Sequence, residues 1–201
     1  MYLETERLII RDFNRDDAEV LYRIKTDEQV LKFCPDFLDV ELKPEDTIRF
    51  IDTFRELESR GDIDTWRCYA IEHKQMRSIV GCLCFCKQNM LYEYELGWMV
   101  LQQHAKNGYA SEAAEALAEH FCKKYRLDYV IVIMDVDNPT SFHAAQKAGF
   151  KLFEKRTVYD YSCSRYSDDY YYFRRYSSEC TRVAKFYGDV PYTGRIVNDG
   201  K

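Results

Sequence analysis

The 201-residue chain has no run of 18 or more apolar residues, so no segment reads as a membrane-spanning helix. Its start, Met1-Tyr2-Leu3-Glu4-Thr5-Glu6-Arg7, is neither a basic n-region nor an apolar h-region, and a cytoplasmic location is the expectation. Surplus positive charge is also missing. The 29 Lys+Arg against 34 Asp+Glu give a formal charge of -5, the wrong sign for a domain that neutralises nucleic-acid phosphates. There is no CxxC and no Cys/His set with zinc spacing, so no metal site is expected. Eight cysteines are too few in a chain of this length for a disulfide scaffold. Cys82, Cys84 and Cys86 alternate along one apolar run, share one face of a strand and cannot bridge within it, so they read as small apolar residues. Internal repeats and low-complexity linkers are absent too, which excludes arrays and modular chains.

What remains is a core-forming composition, 46% hydrophobic and 15% aromatic, at a length suited to one decorated domain. Leu3 to Phe13 reads as a strand, and Asn14 as the cap of a helix carrying Ala18, Val20, Leu21 and Ile24 at helical spacing. A second helix spans Lys43 to Arg60, started by Pro44 and stopped by Gly61. Strands are expected at Trp66–Ile71, Ile79–Cys86 and Leu91–Leu101, and a helix at Gly108–Tyr125. The nearly continuous apolar run Tyr129–Met134 suits a strand covered on both faces. A helix at Asn138–Ala148 and two aromatic strands, Lys151–Tyr161 and Asp168–Tyr176, complete the order. Antiparallel strands followed by βαβαβ connections imply one mixed sheet with helices on its faces. The domain is expected to cover 1–177, with 178–201 a polar tail that belongs to the domain or forms an interface.

The chemistry concentrates at two strand-to-helix junctions. In Glu93-Tyr94-Glu95-Leu96-Gly97-Trp98-Met99-Val100-Leu101 a strand empties into the loop Gln102–Asn107, and Gly108 carries it into a helix whose first amides and dipole favour an anion. In Asp135-Val136-Asp137-Asn138-Pro139-Thr140-Ser141 the apolar strand passes into a helix capped by Asn138. The two junctions are neighbours if their strands are parallel neighbours.

Taken together, Thr5-Glu6-Arg7-Leu8-Ile9-Ile10-Arg11, Glu95-Leu96-Gly97, Gly108-Tyr109-Ala110-Ser111-Glu112-Ala113, and Asn138-Pro139-Thr140-Ser141 with Gly149-Phe150 resemble the GNAT superfamily of acetyl-CoA-dependent N-acetyltransferases. The likeness is narrower toward the branch that includes bacterial ribosomal-protein N-terminal acetyltransferases. It implies an α+β fold, with a mixed, mostly antiparallel central sheet, a splayed parallel pair and helices on both faces. It implies a pyrophosphate loop at Ala105-Lys106-Asn107-Gly108-Tyr109-Ala110, where Ala105 departs from the family's Gln or Arg. It further implies that Met99, Val100 and Leu101 pair with the pantetheine arm through main-chain groups, with an amide near Val100 facing the developing oxyanion. Asn138 matches the cofactor-arm asparagine, and Ser141 a serine near the thioester sulfur. Many relatives place a tyrosine acid where this chain has Ala145.

An attacking amine must first lose its proton, so a base or a water wire to a carboxylate is needed. Glu95 is the first candidate, on the strand just upstream, and Glu93 two residues away would share its face; a solvated face or a salt bridge is the plainer role of both. His104 reads as a cofactor or solvent contact, and His73, His120 and His143 as turn or helix-surface residues. The loop Cys34–Glu41 mixes acids with aromatics, as suits a cationic amine. The tyrosine-rich segment from Tyr159 to Tyr192 offers a groove lining, an interface such as that of a homodimer, or sheet packing. The expected reaction is acetyl transfer to a primary amine, either a protein N-terminus or a small amine such as a polyamine or aminoglycoside, by direct attack in a ternary complex. A non-catalytic acyl-CoA-binding module is the alternative, motivated by Ala105 and Ala145. Residues 1–100 carry 14 Lys+Arg against 21 Asp+Glu, and residues 101–201 carry 15 against 13, a division that suits a cationic acceptor and an anionic carrier.

Overall fold

A computed structural model describes residues 1–34, 42–87, 92–160 and 165–180; for 157–160 and 165–169 only the strand course is described. The acidic-aromatic loop from residue 35 to 41 and the chain from residue 181 onward, including the late tyrosines there, lie outside these residues.

The first apolar segment is two strands rather than one, β1 (Tyr2–Glu4) and β2 (Leu8–Asp12), paired antiparallel. Asn14 caps the next element as expected, its side chain accepting from the Asp16 amide while Asp17 accepts from the Asn14 amide. This capping box opens a single 3-10 turn, from which α1 (Ala18–Thr26) continues. A short α2 (Glu28–Leu31) is capped by Asp27. Next, α3 (Pro44–Arg60) starts at proline and stops at Gly61, whose φ of 68° only glycine adopts without strain. The strands β3 (Arg67–His73), β4 (Ser78–Cys86) and β5 (Glu95–Val100) follow, then α4 (Tyr109–Tyr125), β6 (Tyr129–Asp135), α5 (Pro139–Lys147), β7 (Lys151–Asp160) and β8 (Arg165–Tyr176).

The eight strands form one sheet in the order β1-β2-β3-β4-β5-β6-β8-β7. Every neighbouring pair is antiparallel except β5 and β6, so the expected mixed α+β architecture is present. Because successive strand residues face opposite ways, the sheet has two cores. On one face Leu96, Val130, Val132 and Phe173 meet Ala113, Ala114, Leu117 and Phe121 of α4 and Ala145 of α5. On the other, Cys68, Ala70, Cys82 and Met99 meet Leu21 and Ile24 of α1 and Ile51 and Phe54 of α3. The apolar β6 is indeed enclosed, with Val130, Ile131 and Val132 at most 1% exposed.

Candidate active site

The parallel pair is held together at one end. Among the described residues its ladder contains a single register pair, Glu95 with Ile131, beside a hydrogen bond from the Ile131 amide to the Tyr94 carbonyl (2.9 Å). Beyond that point β5 stays with β4 through Gly81 and Val100 while β6 stays with β8 through Asp135 and Tyr170. A V opens toward the C-terminal ends of β5 and β6, where the two junctions lie. In parallel sheets this end of the strands, faced by helix N-termini, is where ligands are received.

At the first junction a 3-10 turn (Gln102–His104) leads through Ala105 to Lys106 and Gly108, which have φ of 65° and 80°. Gly108 caps α4, and this positive φ is the reason the position needs glycine. Space alone would not require it: a Cβ there would lie 3.6 Å from Arg7 Nη2 and 3.8 Å from Lys147 Nζ. Those two side chains had no place in the motif reading, yet they put two cations beside the first turn of α4. The amides of Tyr109 and Ala110 begin that helix, where no preceding turn supplies acceptors. Asn107 braces the loop internally, donating to the His104 and Ala105 carbonyls (3.1 and 3.2 Å). Left-handed turns next to a positive helix end form a concavity for an anion.

The opening motif also acquires a physical role. The Glu112 carboxylate, in the first turn of α4, accepts from Thr5 Oγ1 (2.6 Å), the Arg7 amide (2.9 Å) and Arg7 Nε (2.7 Å), and Arg7 Nη1 donates to the Asn107 carbonyl (3.1 Å). Thr5, Arg7 and Glu112 thus clamp the β1–β2 turn to the loop. Partial burial disfavours the Glu112 charge, but the bonds from Thr5 and Arg7 outweigh it and hold this carboxyl below its ordinary range.

At the second junction Asn138 Oδ1 accepts from the Ser141 amide (3.0 Å), so Asn138 is the helix cap and Ser141 sits in the first turn of α5, half-buried. Ala145 is fully enclosed in the core and contributes no group to the cleft. Of the strand residues assigned to the cofactor arm, Met99 and Leu101 have buried side chains and Val100 is half-buried. Glu95 opens β5, half-buried, at the closed end of the V. At about 3.3 Å per residue, five strand steps separate it from Val100 by roughly 16 Å, room for an extended ligand arm between the anion site and a carboxylate. Burial raises the Tyr172 phenol to about 12, and Glu95 adds to the shift through its charge, which places the two groups near each other.

The placements of Glu93 and His73 are corrected. Of the expected strand Leu91–Leu101, Leu91 lies outside the described residues and β5 begins at Glu95, so Glu93 lies outside it and the two-residue rule does not carry Glu93 to the face of Glu95. Glu93 instead accepts from Tyr129 Oη and Arg174 Nη2, both at 2.6 Å. His73 is a buried strand residue, not a turn or surface one: its ring packs edge-on to Tyr109 and Nδ1 accepts from the Met76 amide. His104 is half-buried beside Gln103, and burial, with His73 and Arg23 nearby, pushes its pKa down. In β8, Tyr172 and Phe173 pack the sheet. A cavity of about 440 Å³ opens on the α1 side of the loop, lined by Arg23, Thr26, Asp27, Leu101, Gln102 and Gln103.

A splayed parallel pair, a left-handed loop and a cation-flanked helix start define a class of site, one with the shape and charge to suit an extended anionic carrier along a strand edge. The profile of the acetyltransferase (GNAT) domain matches residues 7–151. The chain belongs to this family of acetyltransferases. It is 28% identical over 174 residues to the uncharacterized N-acetyltransferase YnaD of Bacillus subtilis, covering 86% of this chain and 95% of that one. Among solved structures it is similar to a GNAT-family acetyltransferase from Bacillus anthracis, with a TM-score of 0.71 and 25% identity over 88% of this chain and 98% of that one. The fold is shared with RimL, a ribosomal L7/L12 alpha-N-protein acetyltransferase solved with coenzyme A, with a TM-score of 0.73 and 17% identity over 88% and 98% of the two chains.

Proposed function

We propose that this enzyme transfers acetyl from acetyl-CoA to a primary amine by direct attack within a ternary complex. The observation that carries the reading is the β5–β6 pair, joined at Glu95 and Ile131 and open toward the cation-flanked start of α4. The residues present fit the carrier. Gly108, Tyr109 and Ala110 would hold its pyrophosphate through main-chain amides, with Lys106, Asn107, Arg7 and Lys147 adding positive charge or bracing. Ala105 costs little in this scheme because the contacts are to backbone. Met99, Val100 and Leu101 would receive the arm, and Asn138 would flank it. When bound, acetyl-CoA supplies an activated acyl group as a thioester.

The chain's own residues then manage protons and position. Glu95, directly or through water, takes the proton that an ammonium must lose before attack. Ser141, in the first turn of α5, would protonate the departing sulfur. The acceptor approaches from the α1–α3 face, the side of β5 on which Glu95 lies. Two acceptor classes fit this chemistry, a peptide N-terminus and a small polycation. The enclosed Ala145 favours one further reading, a module that binds acyl-CoA without turning it over. The test combines CoA-induced thermal stabilisation with release of free CoA from acetyl-CoA over a panel of N-terminal peptides, polyamines and aminoglycosides. Stabilisation with turnover on at least one amine is expected. Stabilisation with no turnover selects the binding module, and neither response overturns the carrier assignment.

A further inference from the structure

The alternating cysteines acquire an additional neighbour that spacing along the chain conceals. In the β3–β4 ladder Cys68 is the direct partner of Cys84, and Cys82 is two residues along on the same face. The three sulfurs lie within 4.8 Å of one another, with Cys68 Sγ 3.9 Å from Cys82 Sγ and 2.8 Å from Cys84 Sγ. All three side chains face the α1–α3 layer. Met99 stands opposite Cys82 across the β4–β5 ladder and packs in the same core, so a thioether adjoins the thiols. On that side the Lys25 ammonium, fully buried, lies 4.2 Å from the Phe50 ring centre and 4.5 Å from that of Trp66.

We infer that Cys68, Cys82 and Cys84 form a three-sulfur site for a soft monovalent cation, Cu(I). Thiolate and thioether donors select this class of ion, whereas structural Zn(II) asks for four ligands in a tetrahedron. Metal–sulfur bonds of about 2.3 Å in a trigonal plane set the sulfurs about 4 Å apart, which the Cys68–Cys82 edge already meets. The Cys68–Cys84 edge, at 2.8 Å, would have to open to that value on loading. Cys68 and Cys82 are at most 1% exposed, while Cys84 is half-buried and faces Gly97 across the ladder, so it is the side from which an ion arrives. Each coordinating thiol releases its proton to solvent, no electron changes hands, and the Lys25 cation offsets part of the negative charge left on the site.

The site is independent of acetyl transfer, and its test does not use activity. The phosphine-reduced full-length protein is titrated anaerobically with Cu(I) in competition with bicinchoninate, and the loaded protein is measured by copper X-ray absorption. One ion per chain in an all-sulfur shell of three neighbours is expected. Cys84→Ser should lower affinity by at least about 100-fold, the upper scale of outer-shell effects, and Cys180→Ser, whose sulfur neighbours Asp128, should leave it unchanged. Equal affinity in wild type and Cys84→Ser overturns the site, as does a nitrogen- or oxygen-dominated shell. The absorption measurement needs no variant and decides the matter if Cys84→Ser does not fold. Zn(II) displacing Cu(I) at equal concentration overturns the choice of ion, and a Cys68–Cys84 disulfide persisting in the phosphine-treated protein overturns both.

Discussion

On one face of the sheet α4 and α5 present their N-termini to the open end of a splayed strand pair, whereas on the other α1 and α3 lay buried side chains over three cysteines and a methionine. The first region works through backbone: amides at a helix start, two left-handed loop residues and a strand edge released from its neighbour. The second works through side chains whose meaning depends on which strand lies beside which. Backbone sites tolerate change in side chains but not in conformation. Side-chain sites invert that rule. Glu95 stands where the regions meet, at the closed end of the V and, with Gly97 and Met99, on the α1–α3 side of β5.

The largest expected effect comes from that meeting point. Glu95→Gln removes a proton acceptor while keeping size and hydrogen bonding, so it should lower kcat by about 100-fold to 10,000-fold with CoA affinity unchanged. Its pH–rate profile should lose the acidic limb, since no carboxylate remains to titrate there. Turnover at several pH values beside calorimetric CoA titration checks this, and an unaltered profile retires Glu95 as the base.

Next in size is the conformational rule for the backbone region. Gly108 has φ of 80°, which a β-branched residue adopts only at a strain of about 1–3 kcal/mol. Gly108→Val should weaken CoA binding by about 10-fold to 100-fold, while a far-ultraviolet circular dichroism spectrum like that of wild type shows the helices intact. Undiminished CoA affinity would break the contrast, because the loop would then not be a backbone site.

How legible each region was in the sequence follows from the same division. Pro44 and Gly61 bracket α3, and Asn138 caps α5, because capping depends on residues a few positions apart. The loop that enters α4 was legible for the same reason, one short segment carrying the glycine and the helix start together. Thr5 and Arg7 were visible as a motif without a purpose, since their partner Glu112 is more than 100 residues away. Lys147 gave no signal at all: an exposed lysine near a helix end is ordinary, and only the sheet order sets it beside Gly108. Cys68 was silent on similar grounds, because its partnership with Cys84 requires the β3–β4 register. Glu93 misled because the alternation of a strand was extended past the residue where the strand begins.

The smallest effect tests whether the Thr5–Arg7–Glu112 clamp belongs to the backbone region or only rests against it. Bonds from Thr5 and Arg7 hold the Glu112 carboxyl below its ordinary range, so in the unfolded chain it binds its proton at a higher pH than in the folded one. Its contribution to stability is therefore complete above the unfolded carboxylate range and is lost as pH falls through the lowered folded value. Glu112→Gln should cost about 1–3 kcal/mol near neutral pH, the scale of a partly exposed carboxylate hydrogen-bonded by a guanidinium and a hydroxyl. The gap between variant and wild type should narrow on acidification, since wild type then loses the same charge. Denaturant unfolding of both proteins across that range measures the gap. A clamp that also shapes the loop should weaken CoA binding in the variant a few-fold more than Gly97→Ala, a change on the same strand pair where an added Cβ meets only Cys84 Cβ at 3.9 Å. Equal CoA affinity in the two variants would confine Thr5, Arg7 and Glu112 to holding the fold, and Arg7 would leave the list of cations that serve the anion site.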